Sequence, residues 1–143
     1  MGNPKIGLSK NGEKMHYSVG AIIERNCRYL LVDRAKTPLG FASIAGHIDE
    51  NENKEDALVR EVKEEGDLKV ESYELISEEE LDWNKCRRDT NVHYWYIFNC
   101  ETSGEPKLNP LEAKSIGWYP PNQIRELTLE PVWEYWFKKL KVI

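Results

Sequence analysis

Long apolar runs are missing from this chain, whereas a membrane-spanning helix would need about 18 consecutive apolar residues. Cysteine is also scarce: Cys27, Cys86 and Cys100 are widely spaced and form no Cys-x-x-Cys pair. Residues 1–14 lack the apolar core of a secretory signal peptide. We therefore expect reduced thiols, a cytoplasmic location and no association with a membrane.

A basic surface is missing too, since the formal net charge is −5. Residues 46–68 hold nine acidic and three basic side chains, a balance of −6, and the rest of the chain holds 16 and 17, a balance of +1. A protein that binds duplex nucleic acid would instead carry a basic stripe, so we exclude that partner. The concentration of acidic charge in one segment requires a local cause.

The chain reads as one globular domain over residues 1–143. Its hydrophobic fraction of 40% suffices for a core, and no linker, internal repeat or low-complexity tract divides it. Periodicity predicts a hairpin with strands at 17–23 and 28–34, further strands at 68–77 and 91–100, and a last strand near Trp118. A central helix from Asn53 to about Gly66 and a C-terminal helix opened by Pro131 complete a mixed α/β domain.

The central helix carries Glu61, Glu64 and Glu65 on adjoining positions of one face. Each pair of like charges at such spacing costs about 0.2–0.5 kcal/mol, so a solvated acidic face, in a purely structural domain, is one interpretation. The other is a metal site, because the helix follows a turn at Gly46 that can make the face concave, and carboxylate oxygens suit Mg²⁺ or Mn²⁺. Arg60 can pair either with Glu64 along the helix or with Glu52 across the loop.

An EF-hand calcium loop is excluded by its spacing. Asp49, Asn51 and Asn53 mimic the first ligand positions of such a loop. The position that requires glycine is Lys54, however, and the position that requires a bidentate glutamate is Arg60.

The same segment resembles the signature of the Nudix hydrolases, G-x5-E-x7-R-E-U-x-E-E-x-G-U, in which U is apolar. The fixed positions are matched by Gly46, Glu52, Arg60, Glu61, Glu64 and Glu65. Val62 and Leu68 fill the U positions. The second glycine is replaced by Asp67, for which we expect a left-handed conformation at the helix end. The hairpin, the strand at 91–100 and residues 112–124 follow the family's element order.

This resemblance implies the Nudix fold, a mixed β-sheet sandwiched between α-helices (α/β/α), with the Nudix box at residues 46–68. It also implies metal-dependent hydrolysis of a pyrophosphate bond in a nucleoside diphosphate linked to another group. The implied metal ligands for Mg²⁺ or Mn²⁺ are Glu61, Glu64 and Glu65. Glu52 and Arg60 would support them, and the general base would be either a box glutamate, Glu64, or Glu112 on the loop before the last strand.

Substrate-binding candidates are Arg34 at a strand end, Gly46 in the box and Trp83, whose ring could stack on a base. Trp95 could stack in the same way, and the alternative for both tryptophans is a place in the core; the alternative for Arg34 is a surface charge at the strand end. Arg87 and Arg88 would either fold over the substrate or form a solvated hairpin tip. His93 is expected in the core or at its rim, and His47 shows no signal beyond its place beside the box.

The substrate markers of the ADP-ribose and dinucleotide subfamilies are missing at their usual distance from the box. We therefore expect a small-molecule nucleotide substrate, either a nucleoside triphosphate or a nucleotide sugar. The alternative is a Nudix-fold module that binds and senses a nucleotide without hydrolysing it. The sequence shows no interface, so a homodimer remains an open alternative.

Overall fold

The computed structural model describes residues 2–84 and 90–143, so Cys86, Arg87 and Arg88 lie outside the described residues. The strands are β1 (Ile6–Leu8), β2 (Lys14–Arg25), β3 (Arg28–Arg34), β4 (Phe41–Ala42), β5 (Ile44–His47), β6 (Lys69–Leu81), β7 (Val92–Ser103) and β8 (Ala113–Tyr119). The helices are α1 (Lys54–Gly66), α2 (Pro121–Ile124) and α3 (Pro131–Lys139). In these two ranges, no helix combines the length and the apolar character needed to cross a bilayer.

The sheet is mixed and divides at β2. Its main path runs β4-β3-β2-β7-β6, with β1 and β5 also paired to β2, and with β8 paired to β3. β2 and β7 are parallel, whereas the other pairs are antiparallel. β2 pairs with β3 only at Glu24 and Arg25, and over residues 18–21 it pairs with β5 instead. The strands β3, β4 and β8 therefore separate from the rest of the sheet and leave room for a cleft.

Two helices cover opposite faces of this sheet, as the α/β/α prediction requires. Neighbouring residues of β2 point to opposite faces, so Ala21 and Ile23 pack in one core and Ile22 in the other. The α1 residues in the first core are Ala57, Leu58 and Val62. The α3 residues in the second core are Val132, Trp133, Trp136 and Phe137. The predicted apolar face of the C-terminal helix is confirmed for these four buried residues.

The ends of α1 follow the sequence prediction closely. Asn53 Oδ1 accepts a hydrogen bond from the Asp56 amide at 2.7 Å, which caps the first turn. Asp67 adopts φ 54° and ψ 36°, the left-handed conformation expected of it, and its amide donates to the Lys63 carbonyl. The Lys63 ammonium lies 2.6 Å from the Asp67 carboxylate. The replacement of the usual glycine therefore leaves the end of the helix intact.

The prediction for β6 was too short, because the strand continues to Leu81. The glutamates at 78–80 resemble a solvated loop in the sequence, but they pair across to the aromatic residues of β7. Glu78 accepts a hydrogen bond from the Tyr94 hydroxyl at 2.6 Å. Glu79 accepts from the Tyr135 hydroxyl and from the Lys139 ammonium. These contacts attach the end of β6 to its neighbours.

A buried carboxyl group immediately precedes α3. Glu130 is 6% exposed, and its Oε2 lies 3.8 Å from Nε of Arg34. That Nε also donates a hydrogen bond to the Pro38 carbonyl at 2.7 Å, so the Arg34 guanidinium is shared between Pro38 and Glu130. Burial raises the pKa of Glu130 from 4.5 to about 7, and the charge of Arg34 opposes the rise.

We expect Glu130→Gln to make the protein more stable at about pH 8 but not at about pH 4.5. Since the pKa is higher in the native state, the native state binds more protons between pH 4.5 and about 7. Wild-type stability therefore falls as the pH rises through this window, by up to about 3 kcal/mol relative to the variant.

Urea unfolding at both pH values measures this difference. Glu134→Gln is the matched control, because Glu134 lies on the same helix with its side chain 55% exposed. Parallel stability–pH curves for wild type and Glu130→Gln would contradict the assignment.

Candidate active site

Gly46 of β5 lies directly against the carboxyl group of Glu61 on α1. A Cβ atom added at Gly46 would lie 2.1 Å from the carboxyl carbon of Glu61. No larger residue fits without displacing that group, so glycine here sets the distance between β5 and the helix. The Glu61 side chain is only 13% exposed as a result.

Arg60 holds the loop between β5 and α1 against the helix. Its Nε and Nη2 donate to the two carboxylate oxygens of Glu52 at 2.8 and 3.0 Å, a bidentate pair. Nη2 also donates to the His47 carbonyl at 2.9 Å, and Nη1 donates to Glu61 at 2.8 Å and Glu64 at 3.3 Å. Arg60 thus makes both of the pairings that the sequence left open. The hydrogen bonds from Arg60 lower the pKa of Glu52, so this pair stays ionised.

Glu61 and Glu65 form a buried carboxyl pair joined by a hydrogen bond. Burial raises the pKa of Glu65 well above its usual value, and the neighbouring Glu61 raises it further. Burial also raises the pKa of Glu61, although its hydrogen bond to Glu65 and the charge of Arg60 oppose the rise. Burial therefore disfavours two negative charges on this pair, and a bound cation would relieve their repulsion.

The donor set fits a hard divalent cation. Oε2 of Glu65 is buried and has no hydrogen-bond partner among the described residues, which is costly for a carboxylate oxygen. Glu64 stands at the rim with 56% of its side chain exposed, held by Arg60. All three predicted ligands offer oxygen, the donor that Mg²⁺ and Mn²⁺ prefer. The carboxyl groups of Glu61 and Glu65 are in contact. Glu64 lies about one helical turn after Glu61, and its carboxylate accepts a hydrogen bond from Arg60.

A cleft of about 550 Å³ opens beside these carboxylates, between the two parts of the divided sheet. The predicted site residues that line it are Arg34, Gly46, Arg60, Glu61, Glu64, Glu65 and Glu112. Glu52 lies behind Arg60 as its hydrogen-bond partner. The structure therefore brings eight of the nine predicted site residues to one place.

Trp83 is the predicted site residue that the structure leaves outside the cleft. It is 47% exposed, and its ring meets that of Tyr135 edge to face at a centroid distance of 5.6 Å. Trp95 lines the cleft instead, 5% exposed and in edge contact with Trp133. Of the two tryptophans, Trp95 has the position from which a ring could meet a substrate.

Lys36 and Glu112 form an ion pair in the lining of the cleft, just before β8. Lys36 Nζ lies 3.5 Å from Glu112 Oε1, and the Ala35 amide donates to the Glu112 carbonyl at 3.0 Å. The charge of Glu112 adds to the rise in the Glu65 pKa, which places the two carboxyls in one electrostatic environment. Arg34 and Lys36 therefore supply positive charge to the cleft that the acidic helix also lines.

Sequence reasoning missed several residues of the cleft, among them Lys36, Asn109 and Glu130. Asn109 donates from its amide to the Glu64 carbonyl at 3.2 Å, which ties the loop before β8 to α1. Its position in a loop 45 residues from Glu64 gave no signal. Lys36 could have been found from its place just after a strand end that already carried Arg34.

Comparison with known proteins identifies the fold. A model of the NUDIX domain family matches residues 14–140. Among solved structures, a MutT NUDIX hydrolase from Burkholderia pseudomallei shares 24% identity with a TM-score of 0.68, covering 77% of this chain and 86% of that chain. The NUDIX domain of NrtR from Shewanella oneidensis, solved with ADP ribose, shares 16% with a TM-score of 0.72, covering 87% and 85%.

A MutT protein from Bacillus halodurans shares 18% identity with a TM-score of 0.69, covering 85% of this chain and 79% of that chain. No curated protein sequence matches the chain significantly. The family model spans nearly the whole chain and includes the box that forms the acidic wall of the cleft. The chain therefore belongs to the NUDIX domain family, and it is a Nudix-type pyrophosphohydrolase.

Proposed function

We propose that this enzyme uses a divalent cation, Mg²⁺ or Mn²⁺, to hydrolyse the pyrophosphate bond of a nucleotide of the nucleoside triphosphate or nucleotide-sugar type. The observation that carries this proposal is the buried Glu61–Glu65 carboxyl pair, with an unpartnered oxygen, in the wall of a cleft. A volume of about 550 Å³ lies within the usual range for sites that bind small molecules. The enzyme would act in the cytoplasm, where nucleotides are abundant and thiols such as Cys27 and Cys100 stay free.

Glu61, Glu64 and Glu65 would hold the cation. When bound, it would screen the charge of the diphosphate and make a water molecule more acidic. Arg60 and Glu52 position the acidic wall through their bidentate contact. Arg34 and Lys36, which line the same cleft, would attract the phosphate groups.

The general base would be Glu64 or Glu112, and the two differ in surroundings. Glu64 is largely exposed and lies 3.3 Å from Nη1 of Arg60. Glu112 is held by Lys36 at the start of β8, with 45% of its side chain exposed. Both line the cleft, so either carboxylate can accept a proton from water that enters it.

We expect Glu65→Gln to lower the rate of hydrolysis by at least about 100-fold while leaving the fold unchanged, because it removes a metal ligand. The measurement is release of phosphate or pyrophosphate from a panel of nucleoside triphosphates, nucleotide sugars, ADP-ribose and dinucleotides with Mg²⁺. Asp56→Asn is the matched control, since Asp56 is an exposed acid on the same helix.

A Glu65→Gln variant as active as the wild type would refute the metal assignment. Binding of a nucleotide by the wild type without any turnover would favour the alternative function, a Nudix-fold module that senses its ligand.

We expect Gly46→Ala to weaken the binding of Mg²⁺, so that the Mg²⁺ concentration needed for half-maximal rate rises by about tenfold or more. The added Cβ would push Glu61 out of its place against β5. Gly117→Ala is the control, because a Cβ there meets only ordinary contacts, the nearest at 3.5 Å. Equal Mg²⁺ dependence in both variants would contradict the role assigned to Gly46.

Binding of Mg²⁺ or Mn²⁺ at pH 7 is expected to release up to about one proton, since the Glu61–Glu65 pair has raised pKa values and must ionise to bind a cation. Affinity should therefore increase as the pH rises through the raised pKa values of the pair. Calorimetric titration in buffers of different ionisation enthalpy measures the released proton. A binding enthalpy that does not depend on the buffer would show that the pair is already ionised.

A further inference from the structure

All three histidines of the chain converge at one point of the sheet. His16 on β2 lies opposite His93 on β7 in the parallel register, and His47 at the end of β5 lies opposite Ser18. Because residues two apart in a strand share a face, His16 and Ser18 project on the same side as both partners. The pairing of three adjacent strands thus places the three imidazoles together.

The distances suit joint coordination of one ion. One ring nitrogen from each histidine can be chosen such that all three lie within 4.8 Å of one another. Nitrogen ligands at about 2.0–2.1 Å from a tetrahedral ion would stand roughly 3.4 Å apart. The rings of His16 and His47 are already 4.9 Å apart between centroids, and His47 and His93 are stacked at 5.7 Å. Coordination would therefore require the nitrogens to approach one another by up to about 1.4 Å.

His93 in particular lacks the contacts of an ordinary core histidine. It is 1% exposed, and within the described ranges neither of its ring nitrogens makes a hydrogen bond of normal geometry. Burial and the nearby His16 lower its pKa to about 4, although the Asn84 backbone offsets part of the shift. Its imidazole is therefore neutral at pH 7 and has a lone pair available to a metal.

The chemistry of this cluster differs from that of the acidic wall. Imidazole nitrogens favour Zn²⁺ and neighbouring transition metals, whereas Mg²⁺ favours oxygen. His16 is 2% exposed, so it anchors the cluster in the core. His47 and His93 also line the cleft, which leaves one side of the cluster open to it. Three protein nitrogens with an open fourth position are the pattern of a zinc site that can accept a further ligand.

We propose that His16, His47 and His93 form a transition-metal site, of the Zn²⁺ class, that is separate from the glutamate site and opens into the same cleft. The ion would link β5, β2 and β7 and would stabilise the folded chain by binding only to it. This site does not depend on the proposed hydrolysis, since its ligands include none of the carboxylates.

Titration of the untagged protein with Co²⁺, in the presence of millimolar Mg²⁺ to occupy the carboxylates, tests the proposal. We expect one equivalent of Co²⁺ to produce the visible absorption of a tetrahedral nitrogen site, without the near-ultraviolet thiolate band that cysteine ligands would give. Zn²⁺ should displace the Co²⁺ and raise the melting temperature. His93→Gln and His47→Ala should each weaken Co²⁺ binding by at least about tenfold.

Glu65→Gln is the matched control, and it should keep the Co²⁺ signal while losing the response to Mg²⁺. His47 is only half-buried, so His47→Ala tests the ligand set even where His93→Gln or a change at His16 impairs folding. The proposal is overturned if the absorption is missing in the wild type or survives in folded histidine variants. Loss of the signal in Glu65→Gln would also overturn it, because the ion would then lie on the carboxylates.

Discussion

The guanidinium group of Arg60 is the contact on which the acidic wall depends. It donates two hydrogen bonds to Glu52, donates also to Glu61 and Glu64, and fixes the backbone carbonyl of His47. Without it, the carboxylates of the loop and helix would repel one another in a partly buried setting. Arg60 makes no hydrogen bond to Glu65, whose buried Oε2 has no partner among the described residues, and only the charge of Arg34 opposes the rise in its pKa, so this oxygen is the one best placed for a cation.

The divided sheet explains why those charges face a cleft and not open solvent. β2 contacts β3 only at the hairpin end and then turns to β5 and β7, so the strand ends that carry Arg34 and Gly46 stand apart. The two cores lie on either side of this division and hold its walls in place. Positive groups on β3 and negative groups on α1 therefore line one cleft that can admit a phosphorylated ligand.

The sequence sufficed where structure is local, and it failed where strands distant in the chain meet. The helix cap at Asn53, the left-handed Asp67 and the Arg60–Glu52 pair all lie within one loop and helix, so the sequence indicates the first two and offers the third as one of two pairings. The parallel pairing of β2 with β7 joins segments about 75 residues apart and leaves no local signal. For the same reason the sequence does not distinguish Trp83, which packs on Tyr135, from Trp95, which lines the cleft, and it does not show that the histidines meet.

The glutamate group and the histidine group of donor atoms both contact the strand β5. In β5, Gly46 faces Glu61 and α1, while the next residue, His47, points to the opposite face and joins the histidines. The carbonyl of His47 accepts a hydrogen bond from Arg60, so the residue that orders the acidic wall also fixes the backbone of the histidine cluster. Strand β5 therefore presents one residue to each group of donor atoms, and Arg60 fixes its backbone between them.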